Sequence, residues 1–173
     1  GLANHRGSTF GALLSPQPSQ IDFENRLAVA LMKRLTGEDD LVILEDEGRL
    51  IGRLSLPQSL RERMQDAPRL ELDIPLEERV TVVLEDYVVD LGQRYREAFG
   101  DAGPQQHRER LQSDLARTQK RLGGSRYQTV SSLMQAAFDA QDDSGTLDGH
   151  RAWITLLLRD YYDPMYDYQM SQR

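Results

Sequence analysis

From Pro75 onward, apolar residues recur only at the three- and four-residue spacing of helices, and this restricts the fold more than any other feature of the chain. Leu76, Val80, Val83, Leu84, Tyr87, Leu91 and Tyr95 trace one face over about five turns. Leu111, Leu115 and Leu122 make a second stripe, closed by Gly123-Gly124. Tyr127, Val130, Met134, Ala137 and Phe138 make a third. Trp153, Ile154, Leu157, Leu158 and Tyr161 make a fourth, which Pro164 is expected to stop.

The stretch before Pro75 reads differently. Gly1, Gly7, Gly11, Pro16 and Pro18 punctuate a loop. Ser19 and Asp22 then have the spacing of a capping box, so a helix is expected through Leu27, Leu31 and Leu35 to Thr36-Gly37. Leu41-Val42-Ile43-Leu44 is a short unbroken apolar run and reads as a strand buried on both faces. Arg49-Leu50-Ile51-Gly52 reads as a second strand, and Ser55 and Pro57 open another helix. Leu70-Glu71-Leu72-Asp73-Ile74 alternates at the strand period. The order of elements indicates α/β construction over residues 1–74 and a helical segment over 75–173.

No apolar run approaches the roughly 20 residues that cross a bilayer, and no signal-peptide core opens the chain. With a mean hydropathy of −0.60 the expected class is soluble, with no membrane partner. The chain has no cysteine, which excludes disulfides, thiolate metal ligands and a cysteine nucleophile carried here. His5, His107 and His150 lie far apart in sequence, so no metal ligand set is expected. The first residue is Gly1, not methionine, which suits a processed or excised piece.

Four constellations have chemical potential. Asn4-His5-Arg6-Gly7-Ser8-Thr9 combines a guanidinium, an imidazole, hydroxyls and an open backbone, a set that cradles anions and equally suits a polar surface loop. Glu45-Asp46-Glu47 follows an apolar run, where an acid can hold Mg²⁺ or orient a nucleophile; a solvated acidic turn, continuing Glu38, Asp39 and Asp40, is the alternative. Between Arg108 and Arg126, six cations face only Glu109 and Asp114, within a chain of formal charge −7. Arg110, Arg117 and Arg121 share a helical side there, as a phosphate-tracking stripe or as a solvated face. The tyrosines of Tyr161-Tyr162-Asp163-Pro164-Met165-Tyr166-Asp167-Tyr168 suit either base stacking or anchoring of a terminal helix.

Taken together and in order, several blocks resemble one family. They are Gly1-Leu2-Ala3-Asn4-His5-Arg6-Gly7-Ser8-Thr9-Phe10-Gly11, Gln17-Pro18-Ser19-Gln20, Phe23-Glu24-Asn25, Leu44-Glu45-Asp46-Glu47, Ile51-Gly52 and Leu56-Pro57. Gly123-Gly124-Ser125-Arg126-Tyr127, His150-Arg151-Ala152-Trp153 and Tyr161-Tyr162-Asp163-Pro164-Met165-Tyr166 continue the series. In this the chain resembles tRNA 2-selenouridine synthase along its whole length. The resemblance implies a cytoplasmic transferase with a rhodanese-like domain, its catalytic cysteine, and a P-loop domain. Such an enzyme replaces sulfur by selenium in wobble 2-thiouridine of tRNA, using geranyl diphosphate and selenophosphate through an S-geranyl intermediate.

The glycine-rich Walker A loop and the cysteine of that family are absent here, so the chain looks like the C-terminal part, expected to be inactive alone and to hold no catalytic residue. The implied fold is α/β, a partial P-loop-type parallel sheet over residues 1–74 followed by the all-helical C-terminal segment. The resemblance places His5, Arg6 and Ser8 on an anion and Glu45 near a diphosphate or its metal. Arg117, Lys120, Arg121 and Arg126 are then the expected tRNA face, and the apolar faces of the helical segment 75–173 the expected geranyl slot. An incomplete sheet would leave an edge open to pairing with a second copy. A P-loop-type nucleotide-dependent binding or regulatory module without prenyl chemistry is the alternative, and a purely structural interaction domain a third.

Overall fold

The computed structural model describes residues 1–6, 8–37, 41–46 and 48–171. Gly7 of the anion loop, Glu47 and residues 38–40 of the acidic stretch, and residues 172–173 of the helical segment lie outside them. The chain divides into two compact units, Gly1–Glu71 and Leu72–Arg173.

The first unit is built around α1 (Gln20–Arg34) and a small antiparallel hairpin, β1 (Leu50–Ile51) and β2 (Leu54–Ser55), followed by α2 (Gln58–Asp66). The Ser19 hydroxyl caps α1, accepting the Asp22 N–H at 3.1 Å and donating to the Asp22 carboxylate at 2.7 Å. Ala3, Phe23 and Leu54 form the core, with Leu27, Ile51 and Leu56 packed against it. A second face of α1 is also apolar and is not covered: Ile21, Ala28, Met32 and Leu35 are exposed.

Two expected strands are not formed in this structure. Leu41-Val42-Ile43-Leu44 runs as irregular chain with Leu41 84% exposed, and Leu70-Glu71-Leu72-Asp73-Ile74 is likewise irregular and exposed. The physical reason is that a strand draws its backbone hydrogen bonds from neighbours. Among the described residues the only paired strands are the two of the hairpin, with one isolated bridge between His5 and Ala12.

The second unit is helical: α3 (Leu76–Leu84), α4 (Leu91–Phe99), α5 (Gly103–Ala116), α6 (Gln119–Leu122), α7 (Gly124–Ser144), α8 (Asp148–Leu157) and α9 (Asp163–Ser171). The first stripe is one continuous helical path, but the turn Glu85–Asp90 between α3 and α4 is π-helical. A second π-helical turn, Leu158–Tyr162, joins α8 to α9. Pro164 therefore does not end the last helix; it sits in the first turn of α9, where its missing N–H costs nothing. The wider turn just before it accommodates the ring that would clash with the carbonyl four residues back.

The core of this unit is an alternation of aliphatic side chains with imidazole and aromatic rings. His107 meets Phe138 edge-on at 5.8 Å, Phe138 meets His150 at 4.7 Å, and His150 meets Trp153 at 6.1 Å. The Trp153 indole N–H donates to His150 Nδ1 at 3.0 Å. Nε2 therefore holds the His150 proton and donates it to Gln141 Oε1 at 2.9 Å. His107 Nε2 donates to the Tyr87 carbonyl, inside the first π-helical turn, at 2.8 Å. Gly149 lets α8 approach α7: a Cβ there would lie 3.1 Å from Ala137 Cα.

Burial, with the nearby His107 adding to it, lowers the His150 pKa from 6.5 to about 4. Burial lowers the His107 pKa as well. Between about pH 6.5 and 4 the unfolded chain binds a proton that the folded core refuses, so stability present above pH 6.5 is lost as the pH falls toward 4. For His150 alone the loss totals about 3 kcal/mol. The melting temperature is expected to drop by roughly 5–10 °C between pH 7 and 4.5. His150→Gln should be less stable at pH 7 yet flatter across that range; a flat wild-type profile would contradict the buried neutral imidazole.

Candidate functional site

The first candidate lies in the Gly1–Glu71 unit. Asn4 adopts φ +50°, and its amide donates to the Ser15 carbonyl, the Ser15 hydroxyl and the Pro16 carbonyl at 2.8–3.0 Å. Arg6 N–H donates to the Gly11 carbonyl and Gly11 N–H to the Ser8 carbonyl, both at 2.9 Å, so the segment doubles back on itself. His5, Arg6 and Ser8 thus share one tight loop, all partly buried.

Side-chain amides hold this loop against the hairpin. Gln17 Nε2 donates to the Ala3 carbonyl at 3.0 Å and the Ile51 carbonyl at 2.9 Å, while its Oε1 accepts Arg53 N–H at 2.9 Å. Gln20 takes both the N–H and the carbonyl of Ser55. Gly52, at φ +61°, turns the hairpin, and a Cβ there would lie 2.3 Å from Gln17 Oε1 and 2.7 Å from His5 Cδ2. Neither glutamine carries a periodic signal, so residue spacing does not reveal the clamp. Glu45 is not brought into this arrangement by secondary structure: it is exposed on the irregular segment 41–46. Among the described residues no three acidic or imidazole side chains converge as a metal set.

A groove beside α1 is lined by Leu2, Asn25, Arg26, Val29, Ala30 and Lys33 and measures about 430 Å³. Its floor is apolar and two cations flank it.

The second candidate lies in the Leu72–Arg173 unit and gathers part of the expected basic face. At the end of α6, Gly123 (φ +81°, ψ 155°) turns the chain into α7, a 21-residue helix with no side-chain cap. The first helical bond is Tyr127 N–H to the Gly123 carbonyl at 3.0 Å, so the Gly124, Ser125 and Arg126 amides head the helix without partners inside it. A cleft of about 460 Å³ opens there, lined by Leu122, Gly123, Gly124, Ser125, Arg126, Thr129, Leu156 and Asp160. Amides of this kind, at the positive end of a helix dipole, bind anions.

Asp160 across the cleft is held below the usual carboxylate range, chiefly by hydrogen bonds from Arg159 and also by the Arg126 charge. Lys120 and Arg121 are exposed on α6, the short helix that leads into the cleft.

Arg117 stands apart from the other three expected contacts. It joins Arg110 on the carboxylate of Asp114, which is fully buried. The Arg110 guanidinium is desolvated, yet the Asp114 hydrogen bonds raise its pKa. This cluster ties α5 to itself, so Arg117 serves first as a structural partner. Ser125, Thr129 and Asp160 have no feature in the sequence that places them in the cleft, although the double glycine ahead of a long helical stripe is the signal that marks it.

The family described as the tRNA 2-selenouridine synthase AAA domain matches residues 1–173. A tRNA 2-selenouridine synthase of Marinobacter nauticus is 52% identical over all of this chain and 47% of its own length. Proteins of the same name from Alcanivorax borkumensis and Sulfurovum sp. are 45% and 41% identical, over 48% and 47% of their lengths. The chain thus spans about half the length of the curated relatives it matches. No solved structure matches.

Gly52→Ala tests the clamp. A left-handed alanine costs about 1–2 kcal/mol before any clash with Gln17. Hydrogen exchange should show the Arg53 amide losing protection while the helices of residues 72–171 keep theirs; a protected Arg53 amide in the variant would refute the clamp.

Proposed function

The chain belongs to the tRNA 2-selenouridine synthase AAA-domain family, and from that premise we propose that it forms the RNA-facing and anion-holding part of an enzyme that converts wobble 2-thiouridine of tRNA to 2-selenouridine. The relatives' shared name supports the reaction. The observation that carries the chain's own role is the cleft at the head of α7, where three helix-end amides and Arg126 meet beside Lys120 and Arg121 in a chain of net charge −7. Such a local positive face on an acidic protein suits the phosphates of an RNA backbone.

In this reading the sulfur of 2-thiouridine attacks geranyl diphosphate and releases diphosphate; the selenium of selenophosphate then attacks C2 and expels geranylthiol, and hydrolysis of the Se–P bond leaves 2-selenouridine and phosphate. The groove flanked by Arg26 and Lys33 suits such a substrate, with an apolar chain on its floor and a diphosphate at its rim. The His5, Arg6 and Ser8 loop is the second anion position. The glycine-rich phosphate loop and the thiol, neither of which this chain contains, are assigned to the half of the relatives that it does not span. The exposed apolar run at residues 41–44, that at 70–74, and the bare face of α1 support a parallel P-loop-type sheet completed by that half.

The test is made in the full-length protein. Reversing Lys120 and Arg126 to Glu should weaken tRNA binding and lower the slope of log K against log salt by about 0.7–0.9 for each phosphate no longer neutralised. Arg117→Ala should mainly lower stability, because its partner is Asp114. Unchanged affinity and slope in the double reversal would return the cleft to a solvated helix end.

A further inference from the structure

Arg53 stands at the tip of the hairpin, directly after Gly52, and two bonds to Gln17 fix it there. Its backbone N–H donates to Gln17 Oε1 at 2.9 Å, and its guanidinium Nη2 donates to the Gln17 carbonyl at 2.6 Å. An exposed arginine ordinarily samples many rotamers, whereas this one is folded back along the turn by a bond to the main chain. The turn itself rests on the His5 ring, since a Cβ at Gly52 would lie 2.7 Å from His5 Cδ2. Arg53 is therefore held one residue from the point at which the hairpin meets the loop of His5, Arg6 and Ser8.

What holds the guanidinium matters as much as where it is held. Arg79, Arg108, Arg110, Arg117, Arg151 and Arg159 all pair with carboxylates, in a chain with 28 acids against 21 lysines and arginines. Arg53 is anchored instead by a neutral carbonyl, and among the described residues no acid pairs with it. Its Nε and Nη1 make no hydrogen bond among those residues either. A carbonyl orients a guanidinium without neutralising it, so the fork is placed while its charge is left to act.

We propose that Arg53 is a further binding residue of this loop, gripping a phosphoryl oxyanion of a small substrate together with His5, Arg6 and Ser8; the assignment rests on the reading of the loop as an anion position. Two guanidinia, an imidazole and a hydroxyl exceed what a singly charged carboxylate calls for. They match a phosphoryl group, which carries more charge and several acceptor oxygens. The donors gather at one turn and one loop, which fits a single phosphoryl group, whereas an RNA backbone is followed by cations set along a face. Geranyl diphosphate and selenophosphate share this chemistry, and separate assays distinguish them.

In the full-length protein, KM is measured for geranyl diphosphate and for selenophosphate in the wild type, Arg53→Met, Arg53→Lys and Arg6→Ala. Arg53→Met keeps the N–H bond to Gln17 and the reach of the side chain, so its melting temperature should match the wild type. Its KM should rise about ten-fold or more for at least one of the two substrates, with kcat changed less. A rise for geranyl diphosphate alone assigns the loop to the diphosphate, and a rise for selenophosphate alone assigns it to that anion. Arg53→Lys keeps the charge without the fork and should recover only part of the loss. Added guanidinium ion should lower the raised KM of Arg53→Met, a rescue that a purely structural role would not give. Wild-type KM values for both substrates in Arg53→Met would overturn the assignment, as would a loss of activity that follows a lowered melting temperature or a loss of tRNA affinity alone. If Arg6→Ala still raised KM in that case, the anion loop would stand without Arg53. If neither variant altered either KM, both readings would fall.

Discussion

The helical unit turns on one imidazole. His150 is wholly buried, accepts from the Trp153 indole on one nitrogen, donates to Gln141 from the other, and packs edge-on against Phe138. Both ring nitrogens are satisfied only in the neutral Nε2–H form, so a polar group costly to bury becomes a fixed joint between α7 and α8. Gly149, next in sequence, brings the two helices close enough for the joint to form. His107, further along the ring series, makes one such bond, from Nε2 to the Tyr87 carbonyl within a π-helical turn. The head of α7, with its cleft, is presented on this scaffold.

The Gly1–Glu71 unit solves a different problem. It has few helical residues, a two-rung hairpin and a small core around Ala3, Phe23 and Leu54. Glutamine amides do there what backbone ladders do in a sheet: Gln17 bridges the N-terminal segment to the hairpin, and Gln20 occupies both backbone groups of Ser55. The apolar run at residues 41–44 and the second face of α1 remain exposed.

How far the fold is legible in the sequence follows the same division. Helical stripes close their own hydrogen bonds, so spacing alone places Leu111, Leu115, Val130, Met134 and Trp153 in a core, and all are buried. The Ser19 cap is equally local. The runs at Leu41 and Leu70 have strand character, but pairing is a property of neighbours and spacing does not supply them. The π-helical turns have no pattern of their own, and Pro164 reads as a stop only if the turn preceding it is α-helical. At the cleft, Arg126 is legible as a cation, whereas the burial of Asp114 that diverts Arg117 depends on the packing of α5.

Nitrogen NMR of the His150 side chain addresses the central joint most directly. Long-range proton–nitrogen correlations recorded from pH 7.5 to 5 should show a protonated Nε2 and an unprotonated, hydrogen-bond-accepting Nδ1 throughout, with cation formation deferred toward the pKa of about 4. Averaged nitrogens, or an imidazolium forming with a midpoint near the ordinary histidine value of about 6.5, would contradict the joint and the scaffold built on it.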